Sequence, residues 1–186
     1  MTSLGIVVFA LIGGAALYLI VTYNGLVRIR NTVHESWSDV QTELQRRYNL
    51  IPNLVNTVKG YAAHERALLE EITRLRELAV RDEGSPEHQA RTESQLQGAL
   101  RSLMVRLENY PDLKADQNFL ELQNELTNTE NRIQAAYRFY NGNVRLNNDK
   151  VQMFPSNLVA GAFRFDRREY FELDTDRARD VPQVQL

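Results

Sequence analysis

Cysteine is absent from this sequence of 186 residues. Disulfides, thiolate metal sites, cysteine nucleophiles and lipid attachment through cysteine are therefore excluded. Histidine is scarce: His34, His64 and His88 are all there are, and none has glutamate three residues before it. The Glu-x-x-His pairs of a carboxylate-bridged di-iron bundle are thus missing, and no metal or cofactor is expected. There is no Gly-x-Ser-x-Gly elbow and no phosphate loop, so the sequence points away from an enzyme. A net charge of −2 leaves no general basic surface for nucleic acid. Glycine (9) and proline (5) are few and fall where helices would end. No charged side chain precedes Arg28.

That last absence frames the main positive feature. Leu4 to Thr22, LGIVVFALIGGAALYLIVT, is apolar throughout. A helix of about 19 residues rises roughly 30 Å, the thickness of a bilayer's hydrocarbon core, and lipid offers the backbone no other way to satisfy its hydrogen bonds. A cleaved secretory signal begins with positive charge; here only Met1, Thr2 and Ser3 precede the apolar run, which is also longer than a usual signal core, so the segment reads as a retained anchor. Arg28 and Arg30 follow it closely, with Arg46 and Arg47 further on. The positive-inside rule places a short N-terminus (residues 1–3) outside and the C-terminal bulk in the cytoplasm. Tyr18 and Tyr23 suit the interfacial belt, and Ala10 with Gly14 forms a small-xxx-small pair able to meet another membrane helix.

Beyond the anchor the pattern is amphipathic. Leu26, Ile29, Val33, Trp37, Val40 and Leu44 form one stripe, predicting a helix over 24–48. Asn49-Leu50-Ile51-Pro52 reads as a break, since proline suits a first helical turn and disfavours helix before it. Leu54, Val55, Val58, Tyr61, Leu68, Leu69, Ile72, Leu75 and Ala79 make a second stripe, over 51–82, with Gly84 as its C-terminal cap. Ser85 and Pro86 restart the chain as N-cap and first helical residue of 86–108, whose stripe is Leu96, Leu100, Leu103, Met104 and Leu107. Asp116 caps a fourth helix over 116–148, ended by Asn147-Asn148-Asp149. Its apolar positions, Phe119, Leu122, Leu126, Ile133, Tyr137, Tyr140 and Val144, step at sevens or their parts, as in a coiled coil. Short connections between long helices predict an all-α fold: a transmembrane helix, then an antiparallel up-and-down four-helix bundle over 23–150. The segment 151–186 is mostly irregular. A short helix begins near Phe154-Pro155 and ends by Gly161; Phe163, Phe165, Tyr170, Phe171 and Leu173 dock on the bundle. Asp174 to Asp180 is a charged mobile stretch, and Val181 to Val184 is either a docking motif or a frayed end.

The arginines at 28, 30, 46 and 47 are mixed with Glu35, Asp39 and Glu43, which reads as a solvated face. Arg46 to Glu65, RRYNLIPNLVNTVKGYAAHE, is the densest mixture of polar and apolar residues. It reads either as a plain helix hairpin or as a recognition surface, with Asn53, Lys59, Tyr61 and His64 as the interaction residues.

YNGLVRIRN from Tyr23, the Trp37-Ser38-Asp39-Val40 run and RRYNLIPNLVNTVKGYAAHE together resemble the LemA family. Glu108 to Asn141, Phe154 to Phe163 and the terminal Val-Pro-Gln-Val are similar to its further signatures, although Leu186 stands where an aromatic end is usual. The resemblance implies a bacterial inner-membrane protein with one N-terminal membrane helix and a cytoplasmic four-helix bundle. It supplies no enzymatic activity, cofactor or catalytic residue. A relative tied to magnetosome membranes implies a part in membrane organisation. The expected function is a non-enzymatic membrane scaffold whose partners are the bilayer, further copies of itself or other membrane proteins. The alternative is a sensor or adaptor binding a small ligand or peptide, with Tyr61, Tyr137 and Tyr140 lining its cavity.

Overall fold

The structure is a computed structural model that describes residues 2–173. The charged stretch from Asp174, the Val181 to Val184 motif and Leu186 lie outside the described residues. Among the described residues all regular structure is helical: α1 Thr2–Tyr61, a 3-10 turn Ala63–Glu65, α2 Arg66–Arg81, α3 Pro86–Leu107, α4 Pro111–Lys114, α5 Gln117–Gln152 and α6 Ser156–Ala162. The chain divides into two compact units, Met1–Ser38 with Phe139–Arg168, and Asp39–Arg138 with the residues from Glu169.

In the first unit, the Leu4 to Val21 part of α1 is exposed along its whole length. Asn24-Gly25 does not interrupt the helix. Leu26, Val159, Ala160 and Phe165 form a buried cluster, with Val27 and Val151 packed against it. Trp37 is half-buried rather than central, its ring 5.1 Å from that of Tyr140. The expected end of the fourth helix at Asn147-Asn148-Asp149 is corrected: α5 continues to Gln152. Asn147 and Asn148 are buried and hold the returning chain. Asn147 Nδ2 donates to the Asp166 carbonyl (3.2 Å); Asn148 donates to the Arg168 carbonyl (2.9 Å) and accepts from the Arg168 N–H (2.8 Å). These asparagines satisfy backbone from another segment instead of their own helix end.

In the second unit, the expected boundary at Pro52 is also corrected: α1 runs through the proline. Pro52 has no N–H for the carbonyl of Tyr48, four residues back, a defect worth about 3 kcal/mol inside a helix. Arg76 of α2 answers it, its Nε donating to that carbonyl at 2.7 Å. Continuity keeps Leu44, Tyr48, Ile51, Leu54, Val58 and Ala62 on one buried stripe. At about 1.5–3 kcal/mol per fully buried large aliphatic chain, that register outweighs the proline's cost. The break falls instead at Ala62–Glu65, inside the stretch read as a second helix. There Ala62 leaves helical geometry (φ −123°, ψ 64°), and Glu65 is held by Arg106 (2.9 Å) and the Tyr110 hydroxyl (3.3 Å). Leu69, Ile72, Leu75 and Ala79 of α2, and Leu96, Leu100, Leu103 and Leu107 of α3, are buried, and the two helices pack on each other. Phe119, Leu126 and Ile133 of α5 are buried too, as are Phe171 and Leu173 from the C-terminal segment.

The α2–α3 turn differs from the expected glycine cap. Gly84 has no positive φ; α2 ends at an extended Asp82 (φ −77°, ψ 100°). Glycine here leaves room for the Asp82–His88 contact, because a Cβ would lie 2.8 Å from the His88 ring and 2.9 Å from the Asp82 carboxylate and would displace those side chains. Ser85 and Pro86 do serve as N-cap and first residue of α3, and Asp116 caps α5 by accepting from the Phe119 N–H (3.0 Å).

Two outcomes test this arrangement. Arg76→Ala should cost about 1–3 kcal/mol by stranding a carbonyl. The loss should shrink in a Pro52→Ala background, where residue 52 regains an N–H; chemical denaturation of the four proteins reads the coupling. The second concerns Asp82. Burial pushes its carboxyl up, but the Thr92 hydroxyl, the Gly84 amide and the His88 ring together bring it below the usual carboxylate value. A depressed carboxylate stabilises fully above its unfolded pKa of about 4 and loses that contribution as pH falls further. Asp82→Asn should therefore be less stable than the parent at neutral pH, and the gap in urea midpoint should narrow below about pH 4.

Candidate functional site

The sequence placed its interaction residues on one surface; the structure turns Asn53 and Tyr61 towards the start of α5 and Lys59 towards α2. Asn53 is exposed and lines a groove of about 430 Å³ with Asn56 and Thr57 of α1 and Asn118, Glu121 and Glu125 of α5. Lys59 lines a different cleft of about 570 Å³, with Arg66, Glu70 and Thr73 of α2. Tyr61 donates its hydroxyl to Asp116 (2.9 Å) at the start of α5, which raises the tyrosine pKa and, with the Phe119 amide, lowers that of the carboxylate. His64 is exposed on the 3-10 turn. Tyr61 thus has a structural task, closing the end of α1 onto the cap of α5. Ala10 and Gly14 are exposed on the apolar part of α1, with open space beside Gly14. Among the described residues no three His, Asp or Glu side chains gather as a metal-binding group.

A polar node that the sequence reading missed lies in the second unit. Arg47 follows the α1 stripe inward and is 2% exposed, whereas its neighbour Arg46 stays outside, 3.6 Å from Glu43. The solvated face expected for these arginines is therefore corrected for Arg47. Its guanidinium pairs with Glu93 of α3, 1% exposed, and with Glu130 of α5 at 3.1 Å. Tyr48 donates its hydroxyl to Glu93, and Gln97 donates its amide to Glu130. Burial pushes the Tyr48 phenol up to about 12, with Arg47 opposing, so Tyr48 is a neutral donor at all physiological pH. Burial lowers the Arg47 pKa, while Glu130 and Tyr48 act the other way. The only signal available beforehand was that Glu93 falls on the inward face of α3, in the first turns, where large apolar residues are lacking.

One side of this node opens to a cleft of about 360 Å³. Arg47, Gln97 and Glu130 reach it, and Leu100, Met104 and Leu126 supply its apolar wall, with Arg101 beside them. The Arg47 Nε and the Gln97 Oε1 are buried without a hydrogen-bond partner among the described residues. Buried polar atoms without a partner are uncommon in a folded chain, and these two belong to residues at the edge of the cleft. Tyr137 and Tyr140, expected to line a cavity, pack elsewhere: Tyr137 lies 6.2 Å from Phe171 and Tyr140 beside Trp37.

Removing Arg47 alone strands Glu93 in the interior. Arg47→Ala should cost about 3–5 kcal/mol, and a joint Arg47→Met, Glu93→Gln replacement should recover much of that loss. Urea denaturation of the single and double variants measures both.

The family model for the LemA family matches residues 36–186. Protein LemA of Metamycoplasma hominis is 27% identical over 165 residues, covering 84% of this chain and 75% of that protein. Magnetosome protein MamQ 2 of Paramagnetospirillum magneticum is 25% identical over 179 residues, covering 83% and 66% respectively. Magnetosome protein MamQ of Magnetospirillum gryphiswaldense is 24% identical over 178 residues, covering 82% and 65%. The chain thus spans just under two thirds of the magnetosome relatives. With a helix long and apolar enough to cross a bilayer at its N-terminus and a match over most of its length, this membrane-associated chain belongs to the LemA family.

Proposed function

We propose that this protein is a non-enzymatic, membrane-anchored helical scaffold that assembles with copies of itself at the inner membrane of a bacterium. In this reading α1 crosses the bilayer with its N-terminus outside, and the helices beyond it pack as an antiparallel up-and-down bundle in the cytoplasm. The arginines after the span support that orientation, and the exposed Leu4 to Val21 surface supports the span. The observation that carries self-assembly is on α5: Phe139 and Leu146, seven residues apart, are 60% and 52% exposed. A large aromatic and a leucine one heptad apart on an uncovered helix face form the kind of seam that a second helix covers. Relatives named as magnetosome proteins agree with a role at membranes.

A second reading, a sensor or adaptor for a small ligand or peptide, is favoured by the cleft of about 360 Å³ beside Arg47, where polar side chains meet the apolar wall of Leu100, Met104 and Leu126. The two readings separate on the effect of α5. Crosslinking in intact membranes should capture dimers or larger assemblies, and Phe139→Asp with Leu146→Asp should abolish them while leaving the chain folded and membrane-bound. A detergent-solubilised protein that stays monomeric at every concentration would reject self-assembly and leave the cleft as the functional surface.

A further inference from the structure

The first unit carries apolar side chains that its own core does not use. Met153, Phe154, Leu158 and Phe163 are 62%, 79%, 64% and 47% exposed, and all lie within eleven residues around α6. The inner face of α6 is accounted for, because Val159 and Ala160 are buried against Leu26. The outer residues remain. Their placement along α1 is fixed by contacts inside this unit. Tyr140 of α5 meets Trp37 at 5.1 Å, and Lys150, further along α5, lies beside Gly25, where a Cβ would stand 3.4 Å from its Nζ. The two segments are therefore antiparallel; α5 ends at Gln152, two residues past Lys150, and Met153 and Phe154 follow it directly, towards the apolar span. The Phe163 ring lies 4.8 Å from that of Tyr23, the residue immediately after the span, and the Phe165 ring lies 5.7 Å from it. Leu26, three residues on, is about 5 Å further along the axis, which is still within the headgroup zone of a bilayer.

We propose that the outer face of α6 and its flanks, with Phe154 and Leu158 at its centre, is a second membrane contact that lies in the bilayer interface beside the anchor. The occupant of this face is lipid, for two reasons. The face is continuous through Tyr23 and Phe163 with a helix surface that is itself lipid-facing, and aromatic side chains favour this depth. Lys150 and Arg164 flank the patch and are exposed, placed to meet lipid phosphates. Burying such side chains reclaims apolar area that would otherwise face water, so α6 fixes the depth and rotation of the anchor in addition to holding it in place.

The inference rests on the anchor reading, and the test separates the two. Because the chain has no cysteine, single-cysteine variants can be spin-labelled without background. L11C reports the span, F154C and L158C the proposed contact, and L78C an exposed position on α2. The full chain is reconstituted in vesicles of phosphatidylethanolamine and phosphatidylglycerol, and label relaxation is measured with oxygen, which partitions into lipid, and with a water-soluble nickel chelate. The expected oxygen-to-nickel accessibility ratio at 154 and 158 is several-fold above that at 78 and below that at 11. A ratio at 154 and 158 equal to that at 78, with 11 still deep in lipid, overturns the second contact and leaves the anchor. Labels at 154 and 158 shielded from both relaxants would mean that another copy of the chain covers the face, which also overturns it. A wet label at 11 removes both readings together.

Discussion

A proline inside a helix strands one carbonyl, and the organisation of α1 depends on how that carbonyl is satisfied. Pro52 cannot donate to Tyr48, and the Arg76 Nε does so instead. The donor comes from a helix that packs alongside, so the repair is made only when α2 is in place. Without it the helix would carry an unmet carbonyl, a cost of about 1–3 kcal/mol set against the burial that keeps the two halves of the stripe in register. With it, a single helix supplies both the apolar N-terminal surface and the inward face of the second unit's core. Local preference is overridden by tertiary hydrogen bonding.

The same region of α1 brings a charge into the interior. Desolvating a guanidinium and a carboxylate costs several kcal/mol per ion, and their mutual attraction returns much of that only in good geometry. Here Arg47 meets two carboxylates from two different helices, and Tyr48 and Gln97 occupy further acceptor positions. Such a network contributes less net stability than aliphatic packing would. What it does is penalise misalignment: a one-residue slip of α3 or α5 would leave a buried charge unpaired, at a cost larger than that of a misplaced leucine. The node sets which helix faces which, and the leucine stripes supply the bulk of the burial energy.

Features determined by a few neighbouring residues were legible in the sequence. The apolar run, the Ser85-Pro86 start, the Asp116 cap and the short helix after Pro155 each depend on local chemistry, and the structure has all four. Features that need a distant partner were not. The continuity at Pro52 requires Arg76, the burial of Arg47 requires Glu93 and Glu130, and Asn147 and Asn148 require the chain at 166–168. In each case a residue type with a strong surface or breaker preference is satisfied by a group far away in sequence. The candidate interaction residues illustrate the other limit. Asn53, Lys59, Tyr61 and His64 share a short segment, but a helix distributes such positions around its axis and the break at Ala62 redirects the last. Closeness along the chain left Asn53 and Tyr61 facing α5 and Lys59 facing α2.

The asparagine pair on α5 grips the returning chain by its peptide groups alone. Asp166, Arg167 and Arg168 all keep their side chains exposed, while the bonds run to the carbonyls of 166 and 168 and to one N–H. A clamp that reads only main chain is indifferent to the identity of what it holds. Electrostatic character at these three positions is thereby uncoupled from docking: a change of side-chain charge at 166, 167 or 168 leaves each of these bonds its main-chain partner.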